Sequence, residues 1–350
     1  MTIPKVFRVI SVIVVVNLLY LTGAMAVEIS TSGNSQSKRI VLLVDEIKAI
    51  RNFPLILADR LGYLNDDGIV VTVMNIRDDV SHSEMLMDGR IDAVMAYFHH
   101  NIVNQSQGKF SQAIVTLGVT PGAKIMIANN SRYRSLGSES FAGSRVISGG
   151  DGSSKTTVAN YWLLGTGLKV SEFTRLPTGT KESNAQTLRS GAADFVIATT
   201  PDGDYYEAQG VASVFADLTT PAGTKELFGE LFPSSTIFMK SSLVAEQPWI
   251  AQHLATVFVK TLQFIQAHSA EEILALIPVE ISGKDRNTYL RTLSEERSMF
   301  LTNGLMDEKA ALKEWNAIAA INSKVKNIDI SKTYTNQFVE KSLMRMVQEK

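Results

Sequence analysis

The chain has 350 residues, 45% of them hydrophobic and 20% charged, with 34 basic and 35 acidic side chains and no cysteine. That length exceeds what one compact core usually supports, so two domains or lobes are expected, while the hydrophobic content excludes a disordered chain. A net charge of −1 leaves no electrostatic footprint for nucleic acid, and the missing thiols exclude disulfides, Cys-ligated zinc, thiol catalysis and thiol lipidation.

The first residues read as an address. Lys5 and Arg8 form a positive n-region, Val9 to Leu21 is an apolar run broken only by Ser11 and Asn17, and Ala24-Met25-Ala26 offers small residues for cleavage. The run is shorter than the roughly 20 residues of a membrane span. Residues 1–26 are therefore expected to be a secretory signal peptide cleaved after Ala26, and residues 27–37 a polar lead-in. With no cysteine to carry a lipid, a free periplasmic protein is the simplest fit.

Beyond the lead-in, strand-like and helix-like patterns alternate. Ile40–Val44 is a continuous apolar run, Phe53–Gly62 has helical spacing, Ile69–Val73 is β-branched, and Asp92–Ala96 is a further short strand pattern. The same order returns with Arg145–Ser148, Thr156–Leu164, Phe173–Leu176 and Phe195–Ala198. Asp88–Ala96 can be laid on Ser190–Ala198 with Gly89/Gly191, Asp92/Asp194, Val94/Val196 and Ala96/Ala198 identical, and Gly68–Val71 echoes Gly167–Val170. Consistent order and spacing point to two related α/β lobes built on mostly parallel sheets. Farther on, Ile250, Leu254, Val257, Phe258, Leu262 and Ile265 make an apolar helical stripe after Pro248, and residues 307–321 and 334–347 give two more amphipathic patterns. These read as helices packed on the first lobe.

Several of these stretches resemble a known family. Phe53–Leu64 with Gly68–Val71, the Gly89/Asp92 pair, Phe141–Ile147, Leu163–Leu168 and the Gly191/Asp194 pair come in the order found in periplasmic substrate-binding proteins of ABC importers for nitrate, taurine, alkanesulfonate and thiamine precursors. The resemblance covers residues 38 to about 280. It implies a type-II periplasmic-binding-protein fold, with residues 38–126 as the first part of lobe 1, 127–235 as lobe 2, and 236–350 as the rest of lobe 1 and the C-terminal helices. It also implies capture of a small polar ligand, sulfonate-like, oxyanion-like or pyrimidine-like, by closure of the lobes. The expected partners are that ligand and an inner-membrane permease, or a membrane sensor in its place, with the protein itself a monomer. Pyrimidine-precursor synthases share the resemblance, but the cysteine-rich motif of the fungal kind is absent.

Open α/β sheets bind ligands at the carboxyl ends of their strands, which selects the candidate site residues. Ser148–Thr157 lies between a strand and a helix, and its glycines let the backbone approach a ligand. Ser153, Ser154, Lys155 and Thr156 surround a helix N-terminus that favours an anion, with N-capping as the structural alternative for either serine. Gly149–Thr156 is also one residue short of a P-loop, Ser154 standing where that motif has glycine. From the first lobe come Arg51, Asn52 and Phe53 after the first strand, and Tyr97, His99 and His100 after the third. From the second come Thr180, Thr199, Thr200 and Asp202, the last suited to a ligand ammonium or to capping its helix. His99-His100 is not expected to bind metal, because neighbouring residues point apart and His82, His253 and His268 lack ligand spacing. No cofactor and no catalytic constellation is expected.

Overall fold

The computed structural model describes residues 38–348 apart from 46, 66–67, 77–80, 134–139 and 151–152. The expected signal peptide and lead-in, and Asp151 and Gly152 of the glycine-rich loop, lie outside the described residues.

Among the described residues, ten strands form two five-stranded sheets. The first holds β1 (Lys38–Asp45), β2 (Ile69–Ile76), β3 (Ala93–Tyr97), β4 (Ser111–Thr116) and β10 (Ser235–Lys240), in the order β2-β1-β3-β10-β4. The second holds β5 (Ala123–Ala128), β6 (Arg145–Ile147), β7 (Thr174–Leu176), β8 (Phe195–Ala198) and β9 (Ala212–Leu218), in the order β7-β6-β8-β5-β9. The two orders are the same arrangement. In each sheet the fourth strand is antiparallel to its neighbours and follows a crossing from the other lobe.

The repeated nonapeptide explains much of this likeness. Gly89 and Gly191 sit just past helices His82–Met87 and Lys181–Arg189 with φ of 73° and 71°, a left-handed turn that suits glycine. Three residues on, Asp92 accepts the backbone N–H of Val41 at 2.7 Å, and Asp194 accepts that of Arg145 at 2.9 Å. The carboxylates thus pin the start of β3 to β1 and the start of β8 to β6. Asp194 adds a two-pronged pair with the Arg145 guanidinium, at 3.0 and 3.1 Å.

Helices cover both faces of each sheet. Under the first sheet, helices Phe53–Arg60 and Pro248–Ala267 share a core with Ile40, Leu42, Val44 and Met95, while Leu43, Val94 and Phe238 pack on the other side. In the second lobe, Trp162, Phe195 and Phe141 lie within 6 Å of one another in an aromatic core, and Met126, Val196 and Tyr206 form the opposite layer.

Among the described residues, two chain segments pass between the lobes and a third runs beside them. The outward crossing, residues 117–122, pairs with the return, residues 229–234: Phe232 N–H donates to Val119 O at 2.9 Å and Ser234 N–H to Gly118 O at 3.0 Å. Residues 299–301 run along the other side, with Val119 N–H donating to Met299 O and Leu301 N–H to Leu117 O. The sequence reading ends the first part of lobe 1 at residue 126, inside β5. Every residue of that strand pairs within the second sheet, so the crossing comes earlier.

The C-terminal helices also differ from expectation. Helix Gln337–Gln348 packs on Pro248–Ala267, as a lobe-1 element should. Helix Glu308–Ile321 instead lies against both lobes: Ala311 and Ile318 join the lobe-1 core, while the helix packs along Ser154–Gly165 of lobe 2. Helix Arg286–Glu296 reaches lobe 2 on another side, where Arg291 pairs with Asp204 at 2.6 Å and the Thr200 hydroxyl donates to the buried Glu296 carboxyl. An amphipathic pattern shows that a helix has one buried face, not which neighbours share it.

Candidate functional site: a cavity between the lobes

On the lobe-1 wall, the short 3₁₀ turn Ile50–Asn52 follows β1 and sets the Arg51 guanidinium 5.1 Å above the Tyr97 ring, in cation–π contact. Tyr97 ends β3, and its hydroxyl donates to Pro121 O at 2.8 Å on the outward crossing, so it braces the wall against the hinge. Helix His99–Ser106 then starts at once. The His99 ring lies 5.9 Å from Tyr97 and 4.1 Å from His100, and His100 lies 4.4 Å from His82.

Three imidazoles therefore gather where the sequence reading expected His99 and His100 to point apart and His82 to be unrelated. Helices His82–Met87 and His99–Ser106 start side by side, which linear spacing does not reveal. Burial holds the His100 imidazole well below its usual range, helped by His99, His82 and Arg51, so it is neutral near pH 7. Among the described residues no group of three or more His, Asp or Glu side chains could hold a metal ion.

The lobe-2 wall is the end of β6 and the helix Ser154–Gly165. Gly149 has φ +96°, and a Cβ there would come within 3.2 Å of Ser153 Oγ, so the turn requires glycine. Ser153 occupies the N-cap position but does not cap: its Oγ donates to Ser148 O at 3.3 Å. Thr156 Oγ1 likewise turns back to Ser148 O and Gly149 O, both at 3.1 Å. The hydroxyls stitch the loop to the strand, and among the described residues the first turn of the helix, at Ser154 and Lys155, has no side-chain cap. Lys155 Nζ stands 4.0 Å from Asp202 Oδ2 in the first turn of helix Thr200–Ala208, with Thr199 as its N-cap residue.

Between these walls lies a cavity of about 330 Å³. His99 lines it from lobe 1, Thr156, Thr157 and Asn160 from lobe 2, and Ile318 and Ile321 from helix Glu308–Ile321. That volume is at the small end of the ~300–1,000 Å³ common for small-molecule sites.

Of the residues expected at the site, Arg51, Tyr97, His99 and His100 form one continuous wall, and Thr156 shares the cavity with His99. Lys155 and Asp202 face each other beside it, with Ser153 and Ser154 at the head of the helix. Four others are engaged elsewhere. Phe53 is a core residue, its ring 5.9 Å from Phe300, because it opens a helix whose first turn is buried. Asn52 is fully buried and accepts the Ser235 hydroxyl of β10 at 3.4 Å. Thr180 caps helix Lys181–Arg189 by accepting the Ser183 N–H at 3.3 Å. Thr200 is bound to Glu296. Two contributors were missed. Asn160 stands out only as the polar residue inside the run Val158-Ala-Asn-Tyr-Trp-Leu-Leu164, and helix Glu308–Ile321 carries no sign that it walls a cavity.

Comparison with known proteins places this geometry. No protein with a curated description matches the sequence. The structure is similar to that of a Bordetella bronchiseptica protein at 24% identity, with a TM-score of 0.73 over 89% of this chain and 98% of that one. It is similar to a putative periplasmic sulfonate-binding protein, SsuA, of a Methylobacillus flagellatus ABC transporter, at 16% identity and a TM-score of 0.66 over 89% and 95% of the two chains. It is also similar to the desulfurization enzyme DSZB, at 14% identity and 0.59 over 88% and 100%. These likenesses establish the periplasmic-binding-protein fold that the sequence resemblance implies. The NMT1/THI5-like family pattern matches residues 50–272, well over half of the sequence, and the chain therefore belongs to the NMT1/THI5-like family.

Proposed function

We propose that the protein is the solute-binding component of an ABC-type importer, exported to the periplasm on residues 1–26 and released after Ala26. It captures a small organic anion between its lobes and delivers it to an inner-membrane permease. The observation that carries this reading is the cavity lined from both lobes, with His99 on one side and Thr156 and Asn160 on the other. A ligand that touches both walls favours the shut form over the open one by the contacts it gains only there. Arg51 and the uncapped start of helix Ser154–Gly165 supply positive ends for the anionic group, and the sulfonate-binding structural neighbour supports that class.

The test is thermal unfolding and small-angle scattering of the secreted protein against sulfonates, oxyanions, carboxylates and amides. Ligand at 100 times Kd adds about 2.7 kcal/mol of stability and compacts the particle, and Arg51→Ala weakens anionic ligands about tenfold. A panel that moves neither observable refutes solute capture. An enzyme on the same scaffold is the second reading, favoured by the DSZB neighbour and by three imidazoles beside the cavity. Substrate turnover lost in His99→Ala or His100→Ala would establish it.

A further inference from the structure

A buried amide of the cavity wall has both polar ends without a hydrogen-bond partner among the described residues. Thr156 Oγ1 donates to two carbonyls of the preceding loop, and Thr157 Oγ1 donates to Ser153 O at 3.3 Å. Asn322, at the far end, accepts the Lys324 N–H at 3.1 Å. Asn160 is different. It is 1% exposed, and among the described residues neither its Nδ2 nor its Oδ1 has a hydrogen-bond partner. It lies one turn beyond Thr156 and Thr157 on the same helix, so all three face the same cavity. Much of the remaining lining is apolar, with Val103 from lobe 1, Val170 from lobe 2, and Ala317, Ile318 and Ile321 from helix Glu308–Ile321, while His99 and Arg175 add polar groups that have interactions of their own.

A buried carboxamide with both ends unpaired is rare, because each orphaned polar atom costs stability. It marks a place where a partner group belongs. An amide donates through nitrogen and accepts through oxygen, so its complement is a group that does both in one plane. A sulfonate, nitrate or carboxylate only accepts, and would leave Oδ1 unpaired.

We infer that Asn160 is a specificity-determining residue that reads a carboxamide-type edge on the ligand, a hydrogen-bond donor and acceptor side by side, with helix Glu308–Ile321 as the apolar wall around it. The inference rests on the solute-binding reading and narrows it. The ligand is an organic molecule with an uncharged amide, ureide or sulfonamide end, and an inorganic oxyanion is rejected. The preference arises because a site built around a donor–acceptor pair discriminates against analogues that leave one member unmatched.

The experiment screens small acids paired with their carboxamide or sulfonamide isosteres by thermal shift. Wild type is compared with Asn160→Leu, and hits are followed by calorimetry. Asn160→Leu removes two unpaired buried atoms at similar volume, so the ligand-free variant should melt at the same temperature or higher. Amide-bearing hits should bind the variant roughly ten- to a hundredfold more weakly, the cost of one or two lost hydrogen bonds in a dry site, while acceptor-only compounds are unaffected. Three results overturn the inference while leaving solute capture intact: hits confined to acceptor-only compounds, amide hits that bind the variant equally well, or a lower melting temperature of the ligand-free variant. A library that yields no hit on wild type overturns solute capture itself.

Discussion

Raising the pH through neutrality should loosen the contact between helix Arg286–Glu296 and lobe 2. Glu296 is 1% exposed, receives the Thr200 hydroxyl on one carboxyl oxygen and has no partner among the described residues on the other. Burial pushes its carboxyl up from the ordinary 4.5 to about 7; the Thr200 hydrogen bond and Lys124 oppose the shift, and Asp217 and Glu295 add to it. The packed state therefore prefers the protonated acid. Its contribution is complete below pH 4.5, where unfolded chain and packed protein are both protonated, and is lost as the pH climbs through 7. The difference in pKa converts to about 3 kcal/mol at 1.36 kcal/mol per unit, with no discount for exposure at a site this buried. Glu296→Gln keeps the shape and cannot ionise. Denaturant unfolding of both proteins from pH 4 to 9 should show the wild type losing about 3 kcal/mol relative to the variant, falling between about pH 4.5 and 7 and level above. If the latch parts before the protein unfolds, the loss stops at the cost of parting it, and scattering at pH 8.5 shows a more open wild type. Parallel stability curves together with unchanged scattering would refute the reasoning.

Other perturbations separate the roles of named residues. Asp194→Ala should cost about 2–3 kcal/mol in urea unfolding and Asp92→Ala about 1–2, because the first carboxylate satisfies a backbone N–H and a guanidinium and the second a backbone N–H. Equal losses would contradict that difference. Phe53→Ala should destabilise by about 3–5 kcal/mol while leaving the affinity of the folded protein for its ligand unchanged, as a core position and not a site position requires. Glu314→Leu should raise the melting temperature: the carboxyl is fully buried, both oxygens lack a partner among the described residues, and burial holds it well above the usual carboxylate range. A fall in melting temperature would mean that the seam relies on that group.

Patterns confined to one element were legible in the sequence. The alternation of strand and helix, and the Gly89/Asp92 and Gly191/Asp194 pairs, predict the two lobes because each depends on local geometry: a left-handed turn, then a carboxylate three residues on that pins a strand. Position after a strand also selects Arg51, Tyr97, His99 and Thr156, which the structure sets on facing walls of the two lobes, since strand ends of parallel sheets converge. The same rule brings in Phe53 and Thr180 wrongly, because it places a residue at the edge without saying which way its side chain turns. Asn52 and Thr200 lie close to the site yet spend their polar groups inside the protein. His82 and Asn160 escape notice because their significance lies in a neighbour distant along the chain.

The C-terminal third changes how lobe closure must be pictured. Two lobes joined only by their hinge part freely, but here two helices of that third also span the gap. Helix Glu308–Ile321 is tied to lobe 1 at its start: Asn336 exchanges two hydrogen bonds with the Met306 backbone, and the neighbouring Thr335 N–H donates to Ala113 O of β4. Its broad contact with lobe 2 is less well matched. Lys313 donates to Phe228 O, but beside it Glu314 and the Tyr161 hydroxyl face the seam without hydrogen-bond partners among the described residues. Where one side of a helix is hydrogen-bonded and the other buries unmatched polar groups, separation follows the unmatched side, because water satisfies those groups once they are exposed. Opening should therefore carry helix Glu308–Ile321 away with lobe 1 and uncover Asn160 and the cavity in the same movement. Hydrogen exchange would show this order: amides of Ser154–Gly165 facing the seam should exchange faster without ligand than with it, while those around Thr335 and β4 remain equally protected in both states. Equal protection of the seam in the two states would mean that ligand enters by another route.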